Sequence, residues 1–573
     1  MPNRGLSLVV CLGLCCFTAW SQQYTVTTLA GNGSAGFADG GDPTAVQFNS
    51  PNAIAIDSKG VLYIADTANN RIRTISGSTT ATVAGNGTAG ITGNGSAATS
   101  ATLFGPGGVL VDSSGNFYIA DTVNNVVRKV SGGTINNFAG TGNASYSGDL
   151  GPAIGADLQL PTGLALDSAG NVYIADSKNN LIRKVDKNGI ITSYIGGTGP
   201  TAGRLSNPTG LWMDASNTLY IADTGNRRIV KFAGSTFTVV AGNGSAGFSG
   251  DGGPAIRAML NNPVGVAADA AGNIFIADSN NSRIRKVTPD GNIVTIAGKG
   301  GASYSGDGGP GTSASFSFPR GVTVDSSGNV YVADTQNHVI RLLTPSFPTI
   351  TAGGVGNAAS FAPRLSPGAL ASVFGTGFGT VTVQPNAPLP ATVSGVSVNV
   401  NGTASPIYYL SPTQINFQVP WEAAPGTANV TVSVNGGASN SVSVPVGAAA
   451  PGLFYLPGGA AIVQNSDYSL NDPSNPAARG STIIAYLTGS GPVSPAQSDG
   501  VPASAATLVN MTSTYSAKVG SATAQVTFAG MAPTFIGLVQ MNIVVPSTLT
   551  PGVYPLSITV GSETANSATI AVK

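Results

Sequence analysis

The apolar positions of this chain come in short β-rich runs divided by Gly, Asn, Asp, Ser and Pro, and the runs recur in groups of four. One group occupies residues 263–269, 273–278, 283–287 and 292–298, joined by Asp-Ala-Ala-Gly-Asn (269–273) and Thr-Pro-Asp-Gly (288–291). Runs of that length and composition predict strands, and both connectors carry Gly where a hairpin needs positive φ. The group is one of six. In each, an Asp is followed nine residues later by the Asp of an apolar-Ala-Asp box: Asp57/Asp66, Asp112/Asp121, Asp167/Asp176, Asp214/Asp223, Asp269/Asp278 and Asp325/Asp334. The second Asp returns at intervals of 55, 55, 47, 55 and 56 residues, each time with an Asn three positions on. A period of that length means one supersecondary unit used repeatedly.

A single four-stranded antiparallel sheet has two apolar faces and cannot bury both alone. Arranging the sheets radially lets each pack on its neighbours, which predicts a six-bladed β-propeller. A strand ending in Ala-Gly or Ile-Gly closes five groups, and one further copy precedes the first Asp pair, ending at Ala30. None follows the last pair. The strand at 26–30 is therefore free to complete the sixth sheet, so that the chain start closes the ring.

The residues that carry the repeat, as in Gly163-Leu164-Ala165-Leu166-Asp167 and Asn171-Val172-Tyr173-Ile174-Ala175-Asp176-Ser177, resemble the NHL repeat, and all six copies match over residues 22–347. The resemblance implies a binding platform, in some bacterial proteins an extracellular sensor domain; a minority of related propellers are lyases or metal-dependent hydrolases.

After Pro348 the Asp boxes stop and a second duplication begins. Gln414-Ile415-Asn416, Pro420, Pro425-Gly426, Asn440 and Val446 recur as Gln540-Met541-Asn542, Pro546, Pro551-Gly552, Asn566 and Val572, every pair 126 positions apart. Two tandem immunoglobulin-like β-sandwiches are expected, at 348–450 and 451–573, making the whole chain all-β. Residues 366–379 with 413–420 resemble the IPT/TIG group of immunoglobulin-like domains. Residues 350–572 look more closely like an uncharacterised C-terminal domain family of secreted acidobacterial proteins, which implies a surface or secreted role and no chemistry.

Composition narrows the function classes. Arg4, the apolar run 6–17 and Ala19-Trp20-Ser21 read as a signal peptide over 1–21, cut near Gln22, so the protein is expected to be secreted, extracellular or at the cell surface, with the periplasm as the other destination and no membrane insertion. All three cysteines fall inside that segment, which removes disulfides, thiolate zinc sites and Cys nucleophiles from the mature protein. Charged residues are 9% of the chain, against about 25% in ordinary domains, and the net charge is zero, so nucleic acid is not an expected partner. With His338 as the only His, and Glu422 and Glu563 the only Glu, general acid–base catalysis has little to work with, and no catalytic residue is assigned.

Four candidate features remain. The twelve repeat Asp residues could ring a cation, but caps of the Asp-Ser-x-Gly-Asn and Asp-Thr-x-Asn turns are the preferred reading. An Arg seven residues past the second Asp (Arg73, Arg128, Arg183, Arg285, Arg341; Val230 in the fourth copy) could read an acidic ligand, or partner a carboxylate on the adjacent strand, which is preferred. His338 replaces the Asn, Ser or Arg of the other copies. The loops that enter each repeat bring together Phe37 and Asp39, Tyr146 and Asp149, Phe248 and Asp251, and Tyr304 and Asp307. Presented around one mouth of the ring, an aromatic with a nearby Asp suits a carbohydrate or protein ligand. Against this, each aromatic could fold back over the seam between blades. Asp-x-Gly-Gly could also hold Ca²⁺, although the dense carboxylate spacing of a dedicated loop is missing and no cofactor is otherwise implied. The resulting expectation is a non-enzymatic binding, adhesion or sensor protein, with a Ca²⁺-dependent hydrolase or lyase as the alternative.

Overall fold

A computed structural model describes residues 23–196, 205–379, 381–434 and 437–573; the expected signal peptide lies outside them. The described chain is all-β, its only helical pieces being single 3₁₀ turns, and it divides into two compact units, 1–346 and 347–573. No helix among the described residues is long and apolar enough to cross a membrane.

The first unit contains six antiparallel sheets, each corresponding to one repeat. In the third, Pro161–Leu166, Val172–Asp176, Leu181–Val185 and Ile191–Gly196 pair in chain order. The last sheet is composite. Gln23–Ala30 pairs antiparallel with Val339–Ser346, placing Val26 opposite Leu343, so the beginning of the unit supplies the outer strand of its end. The innermost strands meet in a closed cycle: Pro51–Ile56 touches both Gly108–Val111 and Pro319–Val324, and the others link these two ends in sequence. The architecture is thus a propeller-like ring.

Packing follows the alternation in the sequence. Apolar residues from facing sheets form one core per seam; Ala65, Ile72 and Ala84 of the first repeat, for example, pack with Val109, Phe117 and Ile119 of the second. At the axis the sheets come closer than side chains allow. A Cβ on Gly163 would collide with the Thr209 carbonyl oxygen, and one on Gly265 with that of Arg320. The Gly of the Pro-x-Gly motif is there because each inner strand crosses tightly against the next.

The second unit contains two sandwiches, each with its own core. In the first, Leu370–Thr376 pairs with Gln414–Gln418, facing a sheet built on Val396–Val400 and Gly426–Val434. The second repeats this with Thr482–Thr488 and Val539–Val544 facing Tyr515–Val519 and Gly552–Val560. The duplicated Asn residues do the same work in both halves. Asn440 accepts from the Ile350 N–H and donates to its carbonyl, at 2.8 and 3.0 Å, and Asn566 does so with Leu453 at 2.7 and 3.0 Å. Each amide clamps the first strand of its sandwich to the last hairpin.

Candidate functional site

The repeat Asp residues are structural, in a manner only partly foreseen. The first of each pair caps its hairpin turn: Asp57 Oδ1 accepts the N–H groups of Lys59 and Val61 at 2.9 Å, and Asp112 those of Ser114 and Asn116. The second was expected to cap the Asp-Thr-x-Asn turn. Its carboxylate makes no bond to the backbone of that turn. Instead Oδ1 accepts a backbone N–H from 17 residues upstream, 2.7 Å away in all six repeats, as from Asn49 to Asp66 and from Ser317 to Asp334. Oδ2 takes the amide of the Asn three residues on, which also donates to the incoming loop, as Asn69 does to Gly36 at 2.6 Å. The carboxylate therefore ties the entering loop to its own sheet, a long-range bond that no local turn pattern reveals.

The residue after that Asp is the joint between repeats. Its hydroxyl donates to the Pro carbonyl that opens the next inner strand: Thr67 to Pro106, Thr122 to Pro161, Ser177 to Pro208, Thr224 to Pro263, Ser279 to Pro319 and, closing the cycle, Thr335 to Pro51 at 2.8 Å. Its recurrence as Thr or Ser was visible in the sequence; its partner was not.

The five Arg side chains are fully buried and each is held between two elements. Arg341 contacts Asp334 of the neighbouring strand at 3.4 Å and Asp307 of the incoming loop at 2.7 Å, and donates to the Ser305 and Ser315 carbonyls. Arg73 joins Asp66 and Asp39, Arg183 joins Asp176 and Asp149, and Arg285 joins Asp278 and Asp251. In the second repeat Asn94 takes the place of the loop Asp and accepts from Arg128 at 2.9 Å. The fourth repeat shows the logic by exception. Its interval is 47 residues rather than 55, Val230 replaces the Arg, and Arg228 satisfies Asp223 from two residues earlier at 2.7 Å. Burial pushes Asp334 up to about 7 and Asp121 up to about 6, against hydrogen bonds and an Arg that pull the other way.

The candidate loop residues meet within each loop and not between loops. Phe37, Tyr146, Phe248 and Tyr304 lie against the buried guanidiniums, with centroids 4.8–5.0 Å from Arg73, Arg183, Arg285 and Arg341, and Arg71 and Arg283 stack on Phe37 and Phe248 at 3.7 Å. Each Asp spends its second oxygen on a neighbour: Asp39 on Thr82, Asp149 on Tyr146, Asp251 on Thr295, Asp307 on Tyr304 and Thr28. A calcium ion at any of them would have to displace a guanidinium. The loops then run beside the outermost strand of the sheet they enter, Gly253–Pro254 pairing with Asn292–Ala297. They start beside the Asp-Thr-x-Asn turns, as the Asn69–Gly36 bond shows, but travel outward and cover sheet edges. The rings remain 41–49% exposed on their outer side.

His338 is structural too. It occupies the left-handed position (φ 57°) held elsewhere by Asn70, Asn125 or Asn180, and its Nδ1 accepts the Ser50 N–H at 3.1 Å, as Asn125 Oδ1 accepts that of Leu160.

The axis offers a different surface. A channel of about 110 Å³ is walled by the inner strands, and the residues following the six Pro are Asn52, Gly107, Thr162, Thr209, Val264 and Arg320. Only the last is charged.

Comparison with known proteins gives matches along both units. A Teneurin NHL domain family matches residues 139–206 and 235–305, the NHL repeat matches 48–75 and 316–341, and the IPT/TIG domain matches 361–446. The chain thus carries NHL repeats and a C-terminal IPT/TIG domain. NHL repeat-containing protein 2 from Bos taurus is 28% identical over 334 residues, which is 53% of this chain and 40% of that protein. Teneurin-1 from Homo sapiens is 28% identical over 36% of this chain and 9% of its own length. The matched part is well under half of either relative. Among solved structures, an auxiliary nutrient binding protein from Bacteroides ovatus aligns at a TM-score of 0.43 and 17% identity, over 57% of this chain and 78% of that one. A streptogramin B lyase aligns at 0.35 and 14% identity, over 57% and 99%.

Proposed function

We propose that this protein is a secreted, non-enzymatic binding or adhesion protein that engages a carbohydrate or protein ligand through the loops entering its NHL repeats. The observation that carries the reading is the fourfold presentation of Phe37, Tyr146, Phe248 and Tyr304. Each is a half-open ring whose back is fixed on a buried Arg and whose neighbouring Asp is locked by the same Arg. A ring immobilised before binding loses little entropy when a sugar face or an apolar peptide side chain stacks on it. The same loops also protect sheet edges, so their conservation of form around the ring serves stability as well. An IPT/TIG domain beside NHL repeats suits a protein that binds rather than transforms.

The test is a glycan and peptidoglycan-fragment screen of the full chain, repeated with Tyr146, Phe248 and Tyr304 changed together to Ala. Ligands retained by the native protein and lost by the triple variant, with an unchanged melting profile, support the loops as the contact surface. Undiminished binding by the triple variant removes them.

A further inference from the structure

The fourth repeat leaves open an edge that the other five cover. From the Gly at the end of an outer strand to the Pro that opens the next inner strand there are 20 or 21 residues in five cases, but only 12 between Gly196 and Pro208. In the five, the extra length lies along the outermost strand of the sheet being entered. The residue five places before the terminal Gly of that strand bonds the loop each time. Thr80 donates to the Gly40 carbonyl, and Ile135, Ile191, Ile293 and Val26 accept from Gly95, Leu150, Gly252 and Gly308, all at 2.8–3.1 Å. These five residues are 0–3% exposed. Phe237 holds the same place in the fourth sheet, in the outer strand Thr236–Ala241. It is only partly buried, and among the described residues no segment pairs with the outer side of its strand. That strand, Thr-Phe-Thr-Val-Val-Ala, carries neither the charge nor the Pro that keeps an exposed edge from pairing.

The other loops also bring a ring and a carboxylate to their sheets, and the fourth sheet keeps a seat for the ring alone. Phe37 stacks on Arg71 and Phe248 on Arg283, each at 3.7 Å. Arg228 is the fourth repeat's residue at that place. Its side chain, held by Asp223, is 24% exposed, whereas the guanidiniums under the loops, those of Arg73, Arg183, Arg285 and Arg341, are fully covered. The loop Asp is gripped by one of those Arg residues and by a hydroxyl of the outer strand, as Asp39 is by Thr82, Asp251 by Thr295 and Asp307 by Thr28. In the fourth repeat the two gripping positions are Val230 and Val239. A groove of about 730 Å³ opens here, with Arg228, Phe237 and Val239 in its wall. Its size falls in the range of about 300–1,000 Å³ common to ligand sites.

We propose that the outer edge of the fourth sheet is a docking site for an extended segment of a partner protein, which adds to Thr236–Ala241 as a further strand. The segment stacks an aromatic ring on Arg228, as the loops do elsewhere, and two or three residues later sets an aliphatic side chain, not an acid, against Val239. The site shares no residue with the loop aromatics, so it stands or fails independently of them. The probe is a synthetic peptide with the sequence of residues 246–256, the loop entering the fifth repeat, made with Asp251→Val. Its binding to the full chain is followed by saturation-transfer NMR on the Phe ring protons. Saturable binding below about 1 mM is expected. The peptide with its natural Asp is expected to bind about fivefold more weakly or worse, because the carboxylate meets Val239 with no donor to pair it, and the peptide with Phe248→Ala not at all. In the protein, Val239→Lys charges the edge and is expected to abolish binding. Val239→Thr restores the residue of three other repeats at that place, preserves the strand, and is expected to narrow the gap between the Asp and Val peptides. The protein with Tyr146, Phe248 and Tyr304 changed to Ala is expected to bind the peptide normally. Absence of binding by the Val peptide, equal binding of the Asp and Val peptides, or binding that survives Val239→Lys overturns the proposal. So does a dimer in sedimentation that Val239→Lys dissociates, for the edge is then taken by a second copy of this chain.

Discussion

Arg341→Met is the substitution that most directly weighs the buried ion pairs of the ring. In the native protein the Arg341 side chain is inaccessible to solvent and bridges Asp334, equally inaccessible, and Asp307, whose side chain is 39% exposed. The two halves of the bridge differ in worth. Asp307 rehydrates when its partner leaves, and an exposed pair of that kind contributes about 0–1 kcal/mol. Asp334 cannot, and removing one member of a buried pair costs about 3–5 kcal/mol. The Ser317 N–H and the Asn337 amide still hold its carboxylate, so the lower end, about 3 kcal/mol, is the expected loss. The position two residues earlier is Val339, so no second guanidinium can move in. Arg285→Met differs on that point alone: Arg283 stands where Arg228 stands in the fourth repeat, and Arg228 satisfies Asp223 there. Urea denaturation followed by tryptophan fluorescence, with Trp212 as the reporter in the ring, measures both. Arg341→Met is expected to be the more damaging of the two, and less so at pH 5 than at pH 8. The sign follows from Asp334, whose pKa is already raised by burial and rises further without Arg341: the folded state then binds a proton that the unfolded state releases, and lower pH favours folding. A loss under about 1 kcal/mol, or equal losses for the two variants, would show that these pairs are no better than surface ones.

Three other outcomes are expected. Thr335→Val deletes the hydroxyl that joins the last repeat to Pro51 and leaves a buried carbonyl without its donor; a loss of about 1–2 kcal/mol, read as a lower melting temperature, is expected. His338→Asn keeps an acceptor for the Ser50 N–H and removes the proton-binding ring. Burial lowers the His338 pKa, so the native protein loses stability as pH falls below the unfolded value of about 6.5 and on through the folded one, whereas the Asn variant is expected to lack that component in melts between pH 7.5 and 5. Gly163→Ala drives a methyl group into the Thr209 carbonyl and should destabilise the ring by about 1–3 kcal/mol or more, while Gly155→Ala, with open space around it, should be near neutral by calorimetry.

The repeat period, the alternating strands and the leftover strand at 26–30 determine the radial architecture, because a sheet with two apolar faces has few ways to hide them and spacing in sequence counts the sheets directly. The same holds for the hairpin caps, since Asp57 and its equivalents bond within four residues of themselves. What lay beyond the sequence were the pairings across long separations. The second Asp reaches 17 residues back, each Arg reaches a loop 34 residues away, and Thr335 reaches Pro51 across 284. Local pattern marks such residues as recurrent without saying what they touch. A neighbour across such a separation is defined by the ring and not by the chain.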